Sequence, residues 1–145
     1  MENMKRDEAQ AVIERANHTE LAFPFVPVSE QIHAHALRSP EQTAVLCRGK
    51  ALSYGELERL SNRVANLLIK KGVGRDILVG VLLERTELAY VAEQGVLKAH
   101  GAFLPFTTAY PDERILFSMA DASAALLLTS RQLRAQRPAL SEGGF

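Results

Sequence analysis

From residue 43 onward, short and almost unbroken apolar runs alternate with longer stretches in which apolar residues return every three or four positions. The short runs are TAVLC (Thr43 to Cys47), ILVGVLL (Ile77 to Leu83), Ala102 to Phe106, and AALLLT (Ala124 to Thr129). Their length suits strands, and near-continuous apolar character is expected of strands covered on both faces. Between them, Leu57, Leu60, Val64, Leu67 and Leu68 recur at helical spacing. So do Leu88, Val91, Ala92, Gly95, Val96 and Ala99, and then Ile115, Leu116 and Met119. This alternation, with a helix between successive strands, predicts an α/β fold, a layered parallel sheet with crossover helices on its faces.

Polar residues and breakers fall where this scheme needs them. Arg48-Gly49-Lys50 reads as a turn from TAVLC into a brief return strand at Ala51-Leu52. Ser53 and Glu56 have the spacing of a capping box, which opens a helix to about Lys71, and Gly72 is its left-handed stop. Thr86 is placed to cap the next helix, which runs to about His100. Pro111 suits the first position of a third helix, where Asp112 and Glu113 favour the positive end of the dipole. Upstream, Ser29 is expected to cap a helix through Arg38, with Ile32, Ala36 and Leu37 as its apolar side. The prolines of FPFVPV (Phe23 to Val28) predict an extended linker. The polar Met1 to Thr19 stretch holds at most one short helix, and residues 138–145 read as a polar tail.

Composition narrows the function classes. The 145 residues carry 17 basic and 17 acidic side chains, a formal net charge of zero, so nothing predicts nucleic acid or an anionic membrane as partner. A single cysteine, Cys47, excludes an internal disulfide and suits a reducing cytoplasm; in its apolar run it is expected as a small buried hydrophobe. The N-terminus lacks the apolar stretch of a secretory signal, and the apolar runs are far too short to span a bilayer.

Constellations for chemistry do not assemble. His33 and His35 are two apart on a predicted helix and point to different sides, while His18 and His100 are isolated. The serines lack an identifiable His and acid partner. Arg131, Arg134 and Arg137 form a basic stripe expected to be a solvated face. The sequence contains neither GxxxxGK[ST] nor GxGxxG, and its one Gly pair, Gly143-Gly144, opens no helix. No residue is therefore assigned a catalytic, cofactor-binding or metal-ligating role.

Two segments carry a family resemblance: LSYGEL (Leu52 to Leu57) and LKAHGAFLPFTTAYPDER (Leu97 to Arg114). In this order and separation they resemble the first two signature motifs of nonribosomal peptide synthetase adenylation domains, members of the AMP-binding, acyl-adenylate-forming superfamily. ANHTELAFP (Ala16 to Pro24) is similar to the stretch that joins a condensation domain to the adenylation domain after it. SPEQTAVLCRGK, NRVANLLIKKG and ILVGVLLERTELAYVAEQGVLKA match the helices and strands between. The likeness runs from about Ala16 to Arg131.

It implies a linker at 1–28 and the N-terminal portion of an adenylation domain at 29–137, an incomplete N-terminal subdomain of the adenylate-forming fold. The complete family member activates an amino or aryl acid with ATP and Mg²⁺. The Ser/Thr/Gly-rich phosphate loop and later motifs do not occur in these residues, so the fragment alone is expected to be inactive and to bind no cofactor. Implied partners are the remaining adenylation segments and the condensation or carrier domains, with self-association as a further expectation. An alternative is a non-catalytic module docking onto those same segments; a small flavodoxin-like nucleotide-binding domain is a third reading. Both motifs read as structural: Ser53 and Glu56 cap, Gly101 lets the backbone turn, and Pro105, Tyr110 and Pro111 shape a rigid loop. The chain departs from the family at Thr107 and Thr108, where Asp and Pro are usual, and at His100, where Gly is usual. These changes predict a looser loop. Apolar strands with few helices to cover them predict marginal stability and association.

Overall fold

In the computed structural model, which describes residues 2–143, the chain folds as a hairpin, a parallel sheet and their surrounding helices. Helix α1 (Glu2–Asn17) is longer than the short helix expected, and α2 (Val28–Arg38) follows an irregular segment. Strands β1 (Thr43–Cys47) and β2 (Lys50–Ser53) form an antiparallel hairpin that is a sheet of its own. The first apolar run is therefore not part of the parallel sheet, because its tight turn sends the chain straight back.

The capping box forms as predicted at the start of α3 (Tyr54–Lys70). Ser53 Oγ accepts from the Glu56 N–H at 3.2 Å, and Glu56 Oε2 accepts from the Ser53 N–H at 3.0 Å. Two other caps differ. Pro27, not Ser29, precedes α2 and makes no side-chain bond. Thr86 does precede the next helix, but its hydroxyl turns back to the Glu84 carbonyl at 3.5 Å.

Strand β3 (Leu78–Leu82), helix α4 (Glu87–Lys98), strand β4 (Ala102–Phe106), helix α5 (Asp112–Asp121) and strand β5 (Leu126–Thr129) follow in turn. All three strands are parallel, in the order β4-β3-β5. The chain steps one way from β3 to β4, then back past β3 to reach β5. Right-handed crossovers in opposite directions put their helices on opposite faces, and the packing agrees. Val79, Val81, Phe103, Leu126 and Leu128 meet α3 and α4, while Leu78, Leu82, Leu104, Phe106 and Leu127 meet the other side. Gly80 lies on that second face, where a Cβ would stand 2.4 Å from Met119 Sδ.

Both faces of β3 are thus covered by this chain's own helices, whereas every residue of β5 stays only half-buried. Val79 and Leu82 are 0% exposed. The segment expected as a polar tail contributes to that cover. It holds α7 (Ala139–Glu142), whose Leu140 is buried in the core beside Leu133 of α6 (Arg131–Gln136) just before it. Conversely, Leu37, Leu67 and Leu88, counted on the helices' apolar sides, are exposed. A third cluster, Leu52, Leu57 and Val91 with Ile32 and Val45, joins the hairpin to α2, α3 and α4.

The joint after α4 refines the role of Gly101. The left-handed residue is His100, at φ 61°, which explains why glycine is usual there. Gly101 serves close approach instead, since a Cβ there would come within 2.9 Å of Val73 Cγ1 and 3.0 Å of the Ile77 carbonyl. Among the described residues no helix is long and apolar enough to cross a membrane.

Candidate functional site

In open α/β sheets, ligands bind beyond the carboxyl ends of the strands, where neighbouring strands send their following loops to opposite faces. That point falls here between β3 and β4. The loop after β3 leads to α4 on one face, and the loop after β4 leads to α5 on the other. A crevice of about 400 Å³ opens there, lined by Leu83, Glu84 and Arg85 after β3 and by Thr107, Thr108 and Tyr110 after β4. Glu93 of α4 also lines it, and burial raises its carboxyl above the usual range. An adjoining recess brings Arg48, from the hairpin turn, beside Glu84, Arg85 and both threonines.

Backbone-directed bonds hold the rim. Thr107 Oγ1 accepts from the Ala109 N–H at 3.3 Å, a long version of the bond an Asp would make, and the Thr107 carbonyl accepts from the Tyr110 N–H at 3.1 Å. These two bonds turn the loop despite the departures at Thr107 and Thr108. Cys47 Sγ, half-buried, donates to the Arg85 carbonyl at 3.3 Å and ties the hairpin to the crevice. On the far side, Arg137 corrects the expectation of a solvated basic stripe. It is largely buried, donates to the Tyr110 carbonyl, and lies with Nε 3.0 Å from Asp112 Oδ1. That ion pair is close but poorly angled, for Asp112 Oδ1 and Arg137 Nη1 are both buried without a hydrogen bond. Arg114 stacks over the Tyr110 ring at 4.0 Å.

The remaining sequence candidates lie elsewhere. His35 stacks on Tyr54 at 5.2 Å, while His33 Nδ1 sits 2.8 Å from Glu58 Oε1. Glu58 is the centre of a polar joint between α2, α3 and α4. It takes Lys98 Nζ at 2.6 Å and Asn62 Nδ2 at 3.1 Å, and Lys98 also reaches Asn62 Oδ1 at 2.8 Å. Burial alone would raise its carboxyl; bonds from Lys98, His33 and Asn62 outweigh this and hold it below the usual range. Sequence reading missed this joint, because Glu58 and Lys98 are 40 residues apart and only the α3–α4 packing brings them together.

The crevice does not fit Mg²⁺-ATP by its own residues. Two carboxylates, Glu84 and Glu93, line the crevice and its adjoining recess together with the two guanidinium groups of Arg48 and Arg85. Among the described residues no group of three or more His, Cys, Asp or Glu is placed to hold a metal. The arrangement is a shaped scaffold end rather than a set of reacting groups.

Residues 32–143 match the family described as AMP-binding enzyme, and the chain belongs to that family. Within it, the chain corresponds to the N-terminal part of a nonribosomal peptide synthetase adenylation domain. It is 38% identical over 137 residues to a linear gramicidin synthase of Brevibacillus parabrevis, covering 94% of this chain and 3% of that protein. Bacitracin synthase 1 of Bacillus licheniformis is 37% identical over 127 residues, 87% of this chain and 2% of the relative. The chain thus spans only a few per cent of the length of these curated relatives. The crystal structure of the nonribosomal peptide synthetase FmoA3 in its α-methyl-L-serine-AMP-bound form superposes with a TM-score of 0.81 at 37% identity, over 88% of this chain and 14% of that one. The N-terminal subdomain of Klebsiella oxytoca NpsA shares the fold, with a TM-score of 0.64 at 20% identity over 70% of this chain and 26% of that one.

Proposed function

We propose that this chain builds the N-terminal wall of an adenylation domain whose complete form activates an amino or aryl acid with ATP and Mg²⁺ for nonribosomal peptide synthesis. The chain alone carries no activation. One observation supports this above others: the strand-end crevice is formed and braced, yet the carboxylates Glu84 and Glu93 share its lining and the adjoining recess with Arg48 and Arg85, opposed charges where phosphate would need donors and cations. On this reading the linker at 1–28 leads into the portion at 29–137, and the protein works in the cytoplasm. Its partners are the remaining adenylation segments, condensation or carrier domains, and a second copy of itself.

Amino-acid-dependent pyrophosphate–ATP exchange tests the reading in two arms. The 145-residue chain is expected to give no exchange with any proteinogenic amino acid. Replacing the matching N-terminal segment of a gramicidin-synthase adenylation domain with this chain is expected to retain exchange. Robust exchange by the chain alone, or a folded chimaera that is inert, would overturn the proposal.

A further inference from the structure

Every described residue from 8 to 28 is exposed, and Leu21, Phe23 and Phe25 stand in solvent among them. At 91% exposed, Phe25 is the most open large apolar side chain among the described residues. Single apolar residues on a surface need no explanation, but a run of them marks a contact. The end of this run is anchored. The Val26 N–H donates to the Pro24 carbonyl at 3.0 Å, a tight turn about Phe25, and Gln31 Nε2 of α2 donates to the Val26 carbonyl at 2.9 Å. A groove of about 510 Å³ opens beside that anchor. Ser29 and Glu30 in the first turn of α2 line it, and Ala65 and Ile69 of α3 with Leu97 of α4 bring apolar surface to it. The polar joint of His33, Glu58 and Lys98 borders the same groove.

We propose that Phe25 docks in this groove, so that the linker straps the start of α2 to the C-terminal ends of α3 and α4. Four residues separate Phe25 from Ser29, and four extended residues span at most about 14 Å, so the ring reaches the groove without disturbing α2. The other apolar recess nearby, between Tyr54 and Tyr90, meets α2 at Ile32, a turn further along. The tether holds Phe25 at an effective concentration on the order of millimolar, before any second molecule competes. Docking removes two apolar surfaces from water at once, the ring and the side chain of Ile69, which is 52% exposed. It also covers Lys98 and Glu58, whose attraction strengthens as water is excluded. A partner that grips the linker therefore has to lift Phe25 and uncover that joint.

The chain has no tryptophan, so Phe25→Trp in the full chain places a single reporter in the strap. Its emission is expected to lie to the blue of free tryptophan and to be shielded from acrylamide, equally at every step of a dilution series. Adding Ile69→Glu, at a position exposed enough for the fold to tolerate the charge, is expected to return both readings to solvent values with an unchanged circular dichroism spectrum. Adding Leu46→Glu, beside the other recess, is expected to leave them as they were. A second pair guards against a folding failure. In a Cys47→Ser background, Phe25→Cys with Ile69→Cys is expected to close a disulfide within one chain under mild oxidation. Solvent-like emission from the reporter, or a cysteine pair that fails to close, overturns the proposal. So does a blue shift that is indifferent to Ile69→Glu, that is lost with Leu46→Glu, or that fades on dilution, the last of which would seat the ring on a second copy.

Discussion

Two polar regions of this chain have similar ingredients and opposite finish. At the joint of α2, α3 and α4, Glu58 is met by Lys98, His33 and Asn62 at 2.6–3.1 Å. At the strand-end crevice, Glu84, Glu93, Arg48 and Arg85 share one opening. Among the described residues, no hydrogen bond or ion pair joins those four side chains. The first carboxyl is held low by its partners, and the second, Glu93, is raised by burial alone. A buried charge persists only when it is paired, so the first region is settled and the second is left unsettled. The joint fastens the scaffold; the crevice is where a further covering element has something to satisfy.

The largest effect is expected from breaking the settled region. Glu58→Ala leaves Lys98, 11% exposed, without its carboxylate. Removing one partner of a well-buried pair costs about 3–5 kcal/mol; residual exposure here brings the expectation down to about 2–3 kcal/mol. The pH dependence has a definite sign. A carboxyl lower in the folded state than in the unfolded chain adds stability that is present above the ordinary carboxylate range and is lost as pH falls through the folded value. Urea melts of parent and variant should therefore converge in acid and separate toward neutral pH. A constant difference at all pH values would show that Glu58 acts through packing and not charge.

A smaller effect is expected where the joint depends on helix spacing. A Cβ at Gly95 would lie 2.5 Å from Val64 Cγ1 and 3.3 Å from the Ser61 carbonyl, so Gly95→Ala must push α4 away from α3. Overpacking of this kind costs ~1–3 kcal/mol, and the better helix propensity of alanine returns up to ~1 kcal/mol, leaving a net loss of about 1 kcal/mol. Because Lys98 rides on α4, the shift should also weaken its bond to Glu58. A double-mutant cycle between Gly95→Ala and Glu58→Ala measures this, and strictly additive losses would separate the spacing from the charge network.

Much of this scaffold was legible in the sequence, for reasons particular residues make plain. The capping box at Ser53 and Glu56 and the apolar runs of β3, β4 and β5 depend on local spacing, and all formed where expected. The hairpin's separation from the parallel sheet was not legible, because TAVLC has the same apolar look as a central strand. Leu140 was lost in a polar neighbourhood, and only the folded chain shows it covering the second face. The crevice was invisible for a related reason. Glu84 and Thr107 come from the loops after the neighbouring strands β3 and β4 and Arg48 from the hairpin turn, so no spacing within the sequence brings the three together.

The smallest effect tests the unsettled region. Glu93→Gln keeps the side chain's shape and removes a charge that burial disfavours. A carboxyl raised in the folded state binds its proton more tightly there than in the unfolded chain. It therefore favours folding in acid and opposes it as pH rises above the ordinary carboxylate range. The variant should match the parent in acid and exceed it at neutral pH, the reverse of Glu58→Ala. Because the crevice is open to solvent, screening limits the gain to roughly a few tenths of a kcal/mol. Thermal melts of the two proteins at acid and neutral pH resolve it. Loss of stability at neutral pH would mean that Glu93 is already paired in solution and that both regions are settled alike.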